Sequence, residues 1–413
     1  MTARTTLHLT APRPRYVERP LGGSVADRLA RLPEIVADLR REDPEAERHR
    51  VLQHDAVRRL RAAGLLSLRV PIRYGGPGGR ARDVLAVVIA IGQGSSNVAQ
   101  ALRAHYGYSE RLLSNRAGEH ERVRWFAAVN DGVVFGNAVT DAAGAAPSGA
   151  DTTVLADERG VLRLNGHKFY STGTLFADVV AVSAVDVEGR DVQVVIPTDR
   201  AGVDLYDDWD GFGQRTTASG GTRFSGVEVF PEEITTASTG RCLGHSTAFQ
   251  QLYLAAVAAG IAHAVADDAV AYVRTTARPA AHSVTGSART DPFVLQAVGE
   301  IAADAAAAEA LVLNAADAID ALVDTERQHD PVALADVAVT VAKAQLVAER
   351  VTLSAAARLF DTGGASATAR KRNLDRHWRN ARTVASHSPL AYKAHATGDY
   401  LVNGAAPPAS GYF

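Results

Sequence analysis

The sequence predicts an α+β fold in which a helical domain, a β domain and a C-terminal helical bundle follow one another. Three observations lead to this prediction. Residues 24–130 are rich in Ala, Leu, Arg and Glu, with apolar residues at three-and-four spacing. Residues 131–235 contain short runs rich in Val and Phe that Gly, Asp and Pro interrupt. Beyond residue 245 the chain returns to long, Ala-rich segments with helical spacing.

The N-terminal part is predicted to be a loose arm followed by helices. Residues 1–23 carry arginines and prolines but no apolar segment, so they do not resemble a signal peptide. Ser24 is a candidate N-cap for SVADRLARLPEIVADLRRE, and Gly64 is a candidate C-cap after PEAERHRVLQHDAVRRLRAA. We therefore predict a flexible arm over residues 1–23 and an N-terminal α-helical domain over residues 24–130.

The middle part, residues 131–235, is predicted to be an antiparallel β domain. Its candidate strands are VVFGNAVT, GVLRLNGHKFYSTG, ADVVAVSAV, DVQVVIP and TRFSGVEVF. Within the second of these, the dipeptide Asn165-Gly166 is typical of a two-residue hairpin turn. Short strands punctuated in this way favour a small sheet over further helices.

The C-terminal part, residues 236–413, is predicted to be a four-helix bundle. The segments LAAVAAGIAHAVADDAVAYVR, PFVLQAVGEIAADAAAAEALVLNAADAIDALV and PVALADVAVTVAKAQLVAERVTLSAAARLF are long and rich in Ala. Ala on several faces of a helix allows neighbouring helices to approach closely. Such a core could also be shared between subunits.

The composition excludes several classes of protein. The formal net charge of −2 gives no general attraction for nucleic acid or for an acidic membrane surface. The single cysteine, Cys242, cannot form a disulfide within the chain and argues against a Cys-based metal site. No apolar run reaches the roughly 18 residues that a membrane helix needs. We therefore expect a cytoplasmic protein with no metal, no nucleic acid partner and no membrane span.

One glycine-rich stretch, IAIGQGSSNVAQ, resembles a dinucleotide-binding loop but has Asn97 where the third glycine should stand. No strand–helix–strand unit surrounds it, so we interpret it as a kink or a tight contact within the helical domain. The chain also lacks a Walker loop, an HExxH motif and a GxSxG motif. The sequence therefore argues against a nicotinamide site and against these hydrolytic centres.

Two segments place polar groups at the ends of predicted strands. GNAVTD provides the amide of Asn137 and the hydroxyl of Thr140, and HKFYSTG provides the hydroxyls of Tyr170, Ser171 and Thr172. Such donors beside free backbone amides suit a polar ring system or its oxyanion. A purely structural turn is the alternative interpretation of both segments.

An aromatic residue and two histidines are further candidates. Trp209 lies in the glycine-rich DWDGFGQRTTASGGTRF, where it could wall a pocket or pack a loop. His105 lies in the helical pattern ALRAHYGYSERLL, where a satisfied core histidine is the alternative. The span RHWRNARTVASHSPLAYK gathers cations and two histidines but no carboxylate. Because a proline follows Ser388, we place His387 at a helix end or loop, as an acid–base group with a pKa of about 6.5.

Taken together, these segments resemble the acyl-CoA dehydrogenases over nearly the whole chain. GNAVTD and KFYSTGTLFAD are similar to the two flavin-contacting strands of that superfamily, and DTGGASATARKRNLDRHWRNAR resembles its late segment. FYSTG, WDGFGQR, TTARPAAHS, DPFVLQAVGE and RHWRNART are closest to its flavin-dependent monooxygenase branch, typified by dibenzothiophene monooxygenases. The resemblance implies an acyl-CoA dehydrogenase-like fold whose middle domain is an antiparallel β-barrel.

The resemblance also implies a two-component monooxygenase and a homotetramer. A separate NAD(P)H:flavin reductase would supply reduced FMN or FAD, with FMNH2 slightly preferred, and O2 would be the co-substrate. One oxygen atom would pass through a flavin C4a-hydroperoxide to an aromatic or heteroatom-containing small molecule. Two alternatives stay open: a flavoprotein dehydrogenase or flavin N-oxygenase of the same fold, and a non-catalytic ligand-binding relative.

The same resemblance assigns roles to individual residues. The implied flavin-binding residues are Asn137, Thr140, Tyr170, Ser171, Thr172, Trp209, Arg278, Gly363 and Gly364. Among them, Arg278 resembles an arginine that reaches the flavin phosphate from a neighbouring subunit, a contact that suits the planar guanidinium. The implied catalytic residues are His387, Ser171, His105 and Asn137.

The span around His387 departs from both branches of the superfamily. Many of its dehydrogenases have a catalytic glutamate a few residues after R-D-A-R, and that position falls on Ser388 here. A serine without an activating partner is not a base at neutral pH. The monooxygenase pattern H-x-x-H-D-P is also incomplete, because Val384 replaces its first histidine and Ser388 its aspartate. The resemblance therefore predicts that acyl-CoA oxidation is absent.

Overall fold

The computed structural model describes residues 20–114, 117–141, 152–236, 244–411 and 413. Most of the predicted arm over residues 1–23 and the single cysteine, Cys242, lie outside the described residues. Within them, helices precede and follow a group of strands, as the sequence predicts. The α+β fold class is therefore confirmed.

The described part of the chain forms twelve α-helices. In chain order they are α1 (Val25–Leu29), α2 (Leu32–His49), α3 (His54–Ala62), α4 (Ala81–Gly94), α5 (Ser96–Ala101), α6 (Arg103–Leu113), α7 (Glu119–Asn130), α8 (His245–Thr275), α9 (Pro292–Asp324), α10 (Pro331–Arg358), α11 (Asp375–Val384) and α12 (Leu390–Asn403). The eight strands of the described residues are β1 (Phe135–Ala138), β2 (Thr153–Ala156), β3 (Leu162–Lys168), β4 (Val179–Val185), β5 (Asp191–Pro197), β6 (Val203–Leu205), β7 (Thr222–Glu228) and β8 (Ile234–Thr236).

Helix ends follow capping signals in the sequence. The Ser24 hydroxyl accepts the Asp27 N–H at 3.2 Å, and the Asp27 carboxylate accepts the Ser24 N–H at 2.9 Å, which forms a capping box at α1. Asp291 and Asp330 cap α9 and α10, and a proline follows each of them in the first turn, where no N–H is needed. Gly64 lies just beyond α3 with a φ of 73°, a conformation that favours glycine.

The sheet corrects the expectation of an antiparallel domain. Its strand order is β6-β7-β3-β2-β4-β5-β8, and β1 also pairs with β4. β4 runs parallel to β1 and to β2, whereas the other pairings between described strands are antiparallel. Because β3 lies between β2 and β4 along the chain, no tight turn fixes the direction of β4. The predicted antiparallel barrel is therefore a mixed sheet.

Asn165-Gly166 does not form the expected hairpin turn. Both residues lie inside β3, where the register with β7 shifts between Leu164 and Gly166. The Asn165 side-chain oxygen accepts the Gly226 N–H at 2.7 Å. A Cβ on Gly166 would lie 2.3 Å from the Thr152 hydroxyl oxygen, so only glycine fits. The dipeptide marks a β-bulge rather than a turn.

The described residues divide into two compact units. Among the described residues, one unit contains the strands, in residues 133–141, 152–209 and 218–236, and the other contains the helices, in residues 20–114, 117–132, 210–217, 244–411 and 413. The strand unit buries an apolar cluster that includes Val180, Val182 and Ile196. The domain boundaries predicted from the sequence stay predictions, since they were drawn from composition alone.

The helical unit is built around α8, α9 and α10, each of which packs against the other two. α4 packs on α8 where two glycines meet: a Cβ on Gly260 would lie 2.6 Å from the Ile89 carbonyl oxygen and 2.7 Å from Gly92 Cα. This contact explains Gly92, and Gly94 instead faces α2, where its Cβ would lie 2.8 Å from Leu39 Cβ. α11 and α12 are shorter, so the C-terminal part has three long and two short α-helices in its described residues, and the four-helix bundle stays a prediction.

Two helical segments are long and apolar enough to cross a membrane by length and composition, His245–Thr275 and Pro331–Thr362. Polar or charged residues interrupt both segments, so neither is the continuous apolar run considered above. In the most apolar 18-residue stretch of each segment, 61% and 56% of the residues, respectively, are buried inside the protein. Such burial is typical of the core helices of a bundle.

Candidate active site

The ends of β1 and β3 lie side by side in the strand unit. The Phe169 N–H donates to the Thr140 carbonyl oxygen at 2.8 Å, which forms a bridge just beyond both strands. The buried Lys168 ammonium lies 2.7 Å from the Asp141 carboxylate and donates to the Val139 carbonyl oxygen at 3.2 Å. These contacts bring the two polar segments that the sequence singled out to one place.

Backbone hydrogen bonds hold the turn that follows β3. The Ser171 N–H donates to the Gly220 carbonyl oxygen at 2.9 Å, and the Gly173 N–H donates to the Ala218 carbonyl oxygen at 3.2 Å. Tyr170 has a φ of 56°, in the left-handed region that costs a non-glycine residue roughly 1–2 kcal/mol. The surrounding bonds stabilise this conformation, so the turn presents its side chains in a defined geometry.

Two buried polar atoms at this place have no hydrogen-bond partner, Oδ1 of Asn137 and Oγ of Ser171. The position of Asn137 is fixed, because its N–H donates to Thr174 Oγ1 at 3.2 Å and that hydroxyl donates to the Asn137 carbonyl oxygen at 3.0 Å. A buried polar atom without a partner costs about 1–3 kcal/mol. The two atoms therefore indicate a site that a polar ligand completes.

Aromatic rings flank the same turn. Tyr170 is 59% exposed and packs edge-on against Trp209, with 6.0 Å between the ring centroids. The Thr172 hydroxyl already pairs with the Ser219 hydroxyl at 2.8 Å. The strand unit thus places six of the candidate residues around one turn, with neutral polar atoms and flat rings as the available contacts.

His387 lies just beyond α11 in the helical unit, where it contacts cations. Its Nε2 is 3.1 Å from an Arg103 guanidinium nitrogen, and its Nδ1 is 3.4 Å from the Ser388 hydroxyl oxygen. The charge of Arg103, then burial, then the Lys393 ammonium lower the pKa of His387 to about 3. Because His387 is partly exposed, the charge of Arg103 contributes more to the low pKa than burial does.

The expectation of an ordinary pKa for His387 is therefore wrong. A positive charge on the imidazole would face the guanidinium of Arg103 directly, so protonation is disfavoured. His387 is neutral at physiological pH, with Nε2 accepting a hydrogen bond from Arg103. It can accept a proton only when the charge around it changes.

Buried polar side chains continue from this histidine into the helices. The Ser388 hydroxyl donates to Oε1 of Gln251 at 3.3 Å, and Nε2 of Gln251 donates to the Gly411 carbonyl oxygen at 2.7 Å. Lys393 on α12 is 2% exposed, and its ammonium lies 5.1 Å from the centroid of the Phe413 ring. Burial lowers the pKa of Lys393 to about 8, against the opposing effect of a carboxylate on α10.

That carboxylate belongs to Glu349, which is also 2% exposed. Its Oε1 accepts a hydrogen bond from Nε2 of Gln345 at 2.7 Å, whereas its Oε2 is buried without a partner. Burial raises the pKa of Glu349 to about 7, and the Gln345 bond and the charge of Lys393 oppose that rise. Near neutral pH, both Glu349 and Lys393 are close to a change of charge.

Sequence reasoning missed Arg103, Gln251, Gln345 and Glu349. No motif marks them, and they come from three helices that are far apart along the chain, α6, α8 and α10. The only signal available was the presence of polar residues inside long Ala-rich helices, where burial requires a partner.

His105 has a different environment from His387. It is fully buried, and its Nε2 lies 2.7 Å from the Leu66 carbonyl oxygen. Burial lowers the pKa of His105 to about 4, so the ring is neutral and donates to that carbonyl. This is the satisfied core histidine that the sequence left open as an alternative. A catalytic role for His105 stays a prediction without support from these contacts.

The remaining candidates lie apart along the helical unit. A Cβ on Gly363 would lie 1.9 Å from Cε1 of Tyr272, so packing alone requires glycine there. Gly364 has a φ of 55°, and Arg278 is exposed beyond the end of α8. Flavin-binding roles for Gly363, Gly364 and Arg278 stay predictions.

Asn97, which interrupts the dinucleotide-like motif, anchors a loop of the helical unit. Its Oδ1 accepts the Thr216 N–H at 3.0 Å, and Oδ1 of Asn380 accepts the Gln214 N–H at 2.6 Å. Gln214 has a φ of 53°, which these bonds support. The sequence could show that Asn97 breaks the motif but not that it holds residues 210–217.

Two family profiles match the chain. The profile described as "Acyl-CoA dehydrogenase, N-terminal domain" matches residues 33–132, and "Acyl-CoA dehydrogenase, C-terminal domain" matches residues 252–392. Among curated proteins, the chain is 30% identical to the probable FMNH2-dependent monooxygenase SfnC of Pseudomonas putida, over 98% of each chain. The similarity to this relative therefore spans both units.

Solved structures of flavin-dependent enzymes also match almost the whole chain. FMN-bound TdsC from Paenibacillus sp. A11-2, a dibenzothiophene monooxygenase, superposes with a TM-score of 0.86 and 29% identity, over 94% of this chain and 100% of that chain. The methanesulfinate monooxygenase MsuC from Pseudomonas fluorescens superposes with a TM-score of 0.83 and 29% identity, over 93% and 99%. All three relatives are named as monooxygenases, and two are named with FMN or FMNH2.

Proposed function

Because the chain belongs to the flavin-dependent monooxygenases of the acyl-CoA dehydrogenase family, we propose that it binds reduced FMN at the ends of β1 and β3 and oxygenates an organosulfur compound. Reduced flavin is its cofactor, dioxygen its co-substrate and a small molecule its substrate. The observation that carries the proposed site is the pair of buried atoms without partners, Asn137 Oδ1 and Ser171 Oγ.

The residues at this place fit the edge of a flavin ring. An isoalloxazine edge offers one N–H donor and several acceptor atoms. Asn137 Oδ1 would accept from that N–H, and the Ser171 hydroxyl would donate to one of the acceptors. The Tyr170–Trp209 pair would cover part of a ring face. The bound reduced flavin supplies the electrons that activate dioxygen.

His387 takes the acid–base role in this proposal. Its neutral imidazole can accept a proton from substrate or from an oxygen species once the charges beside it are compensated. Ser388 stands where the dehydrogenases of the superfamily carry their glutamate, and its hydroxyl is bonded to Gln251. A serine in that position does not remove an α-proton from an acyl thioester. We therefore propose oxygenation and not acyl-CoA oxidation.

The substrate class and the choice of flavin follow from the relatives. TdsC is named a dibenzothiophene monooxygenase with bound FMN, and MsuC a methanesulfinate monooxygenase. Both substrates carry sulfur, which supports an organosulfur substrate here. A separate flavin reductase fits the name of SfnC, which depends on FMNH2. A reductase partner of this kind suits a cytoplasmic location.

We also propose a homotetramer in which Arg278 reaches the flavin phosphate of a neighbouring subunit. Arg278 is exposed, and a guanidinium suits a phosphate. Large apolar side chains follow it on the surface: Val284 is 77% exposed and Phe293 is 72% exposed. Exposed apolar groups close together in the chain are typical of contact surfaces between subunits. Light scattering checks the assembly, and a monomer mass of 43.5 kDa would contradict it.

Stopped-flow absorbance tests the monooxygenase directly. Anaerobic protein loaded with chemically reduced FMN is mixed with oxygenated buffer. We expect a transient spectrum that differs from reduced and oxidised FMN and that lasts longer than for free FMN. The protein alone should not oxidise NADH.

A second experiment separates the oxygenase from a dehydrogenase. Anaerobic protein with oxidised flavin is mixed with a panel of acyl-CoA thioesters, and the flavin absorbance should stay unchanged. Bleaching by a thioester, together with no transient in the oxygen experiment, would assign the chain to the dehydrogenases instead.

A further inference from the structure

Two neighbouring helices hold α11 through carboxylates. Oδ2 of Asp268 on α8 lies 2.7 Å from an Arg376 guanidinium nitrogen and 2.9 Å from Nε2 of His377, in the first turn of α11. Glu47 on α2 is fully buried and pairs with the guanidinium of Arg379 through both of its carboxylate oxygens. These direct bonds fix α11 between α2 and α8.

A second carboxylate on α2 faces the same helix without reaching it. Asp43 precedes Glu47 by one helical turn, and both side chains are buried. Nε of Arg376 lies 3.8 Å from Oδ2 of Asp43, which is longer than a hydrogen bond. An aspartate is one methylene group shorter than a glutamate. The pair on α2 therefore makes one direct contact with α11 and one contact that falls short.

Both side chains at this second contact have an atom without a partner. Oδ1 of Asp43 and Nε of Arg376 are buried and have no hydrogen-bond partner among the described residues. One atom is an acceptor and the other a donor, and native interiors seldom leave either kind unsatisfied. Other nitrogens of the Arg376 guanidinium donate to Asp268 at 2.7 Å and to the Asn373 carbonyl oxygen at 2.9 Å. The contact is therefore suited to a small group that can accept and donate at once.

A small cavity lies at the same place. Asp43, Arg376 and His377 line it, together with Asp268 and Asn380, and most of its lining residues are polar. The centre of a water-sized sphere has about 10 Å³ within it, which is room for about one water molecule. The size of the cavity and the chemistry of its walls therefore agree.

We propose that one ordered water molecule binds between Asp43 and Arg376 and completes the attachment of α11 to α2. The water donates a hydrogen bond to Oδ1 of Asp43 and accepts one from Nε of Arg376. A bridging water gives nearly the same enthalpy as a direct hydrogen bond. A metal ion is a poor fit, because the Arg376 guanidinium is a cation that only donates.

The position of α11 matters because His387 follows it. The His387 N–H donates to the Val384 carbonyl oxygen at 3.1 Å, so the histidine is attached to the last turn of the helix. Arg376 and His387 are 11 residues apart, or roughly 16 Å along a helix axis. A small tilt at the water therefore shifts the imidazole. Asp43 is thus a positioning residue, and its effect on turnover rests on the monooxygenase function proposed above.

A high-resolution crystal structure tests the water directly. We expect one density peak at a hydrogen-bond distance of about 2.7–3.2 Å from both Oδ1 of Asp43 and Nε of Arg376. A direct bond between the two side chains, or a cavity without density, would overturn the proposal. So would a peak coordinated at the shorter distances of roughly 2.0–2.6 Å that are typical of a metal ion.

Two substitutions of Asp43 separate a water bridge from an ion pair. Asp43→Asn removes the charge but keeps an acceptor oxygen, so the water and the turnover should be retained. Asp43→Leu has a similar volume but no acceptor, so the water should be lost. Turnover at saturating flavin should then fall by about tenfold to hundredfold, with unchanged flavin affinity. Equal losses of turnover in the two variants would show that the charge holds α11, and unchanged turnover in both would exclude the positioning role.

Glu45→Leu is the matched control, because Glu45 is an exposed carboxylate on the same helix. It should change neither turnover nor flavin affinity. A loss of flavin affinity in Asp43→Leu alone would indicate general damage to packing and would count against the positioning role. If Asp43→Leu does not fold, Asp43→Ala removes the same acceptor and provides the comparison.

The NMR signal of the His387 Cε1–H gives a readout that does not depend on the reaction. Its chemical shift should move in Asp43→Leu and stay at the parent value in Asp43→Asn and Glu45→Leu. If the water and this signal behave as expected but no oxygen-dependent transient forms, the water bridge stands and the monooxygenase assignment fails. If the transient forms but the signal is the same in every variant, the monooxygenase assignment stands and the positioning role is wrong.

Discussion

The two units present their polar groups in different ways. In the strand unit the groups are neutral, and backbone hydrogen bonds place them, as for Ser171 and Asn137. In the helical unit the groups are charged, and they come from separate helices, as for Arg103 and Lys393. A turn fixed by its own backbone suits a cofactor ring that must lie in one plane. Groups that are close to a change of charge near neutral pH, such as Lys393 and Glu349, suit the part of the enzyme where protons move.

The difference predicts which residues control rate and which control binding. In the helical unit His387 acts on proton transfer, so its removal should lower turnover by orders of magnitude. Groups at the strand-unit turn contribute single neutral hydrogen bonds, so their removal should change flavin affinity by a small factor. The three predictions below test this contrast, in order of decreasing effect.

His387→Gln should have the largest effect. Glutamine can accept a hydrogen bond from Arg103 but cannot take up a proton, so turnover should fall by roughly 10²–10⁴-fold. The thermal unfolding midpoint should change little, because His387 is partly exposed. Steady-state product formation with reduced FMN measures the loss. His395→Gln, at an exposed histidine on α12, is the control and should retain full activity. Loss of activity in both variants, or in neither, would remove His387 from the mechanism.

Arg103→Met should make the charge of His387 depend on pH near neutrality, which it does not in the parent protein. Arg103 is the main cause that lowers the pKa of His387 to about 3, so the parent imidazole stays neutral from pH 5 upwards. Without the guanidinium, the pKa should rise toward the ordinary value of 6.5, and the ring becomes protonated as pH falls through the new pKa. About one pH unit below that pKa, the neutral fraction falls to roughly one tenth.

The measurement for Arg103→Met is an NMR titration of the imidazole Cε1–H of His387, with the pH profile of turnover beside it. Arg124→Met, at a residue whose guanidinium lies over the Trp125 ring on α7, is the control. A titration near pH 3 in both variants would mean that burial, and not Arg103, sets the pKa of His387.

The same contrast explains how much of the molecule could be predicted from sequence. The order of helical and strand regions was predictable, because the change from Ala-rich to Val-rich segments is large and local. The parallel pairing of β4 was not, because it depends on strands that are distant along the chain. Asn165-Gly166 likewise forms a bulge because of contacts with Thr152 and Gly226 that no local pattern reveals.

The site residues of the strand unit could be predicted from the sequence, whereas those of the helical unit mostly could not. Asn137, Ser171 and Tyr170 were found because contiguous strand-end segments contain them. Arg103 and Glu349 were missed, because no motif marks either residue and the two lie on helices that are far apart along the chain. The charge state of His387 was mispredicted for the same reason, since the cation that sets it lies 284 residues away along the chain.

Ser171→Ala should have the smallest effect and the most specific one. The hydroxyl of Ser171 is buried without a partner in the protein itself, so its removal should not lower the free energy of unfolding. With flavin bound, one neutral hydrogen bond is lost, which corresponds to about 1 kcal/mol or roughly a fivefold weaker affinity. Titration of flavin fluorescence measures the affinity, and chemical denaturation measures the stability.

Ser225→Ala, at an exposed serine on β7, is the matched control for Ser171→Ala and should change neither quantity. The contrast between the units requires that Ser171→Ala weakens flavin binding more than it lowers turnover at saturating flavin. A large loss of turnover at saturating flavin would place Ser171 in the chemical step, as the family resemblance also allowed, and the strand unit would then do more than hold the ring. Unchanged flavin affinity would instead show that the unpaired hydroxyl is not a flavin contact.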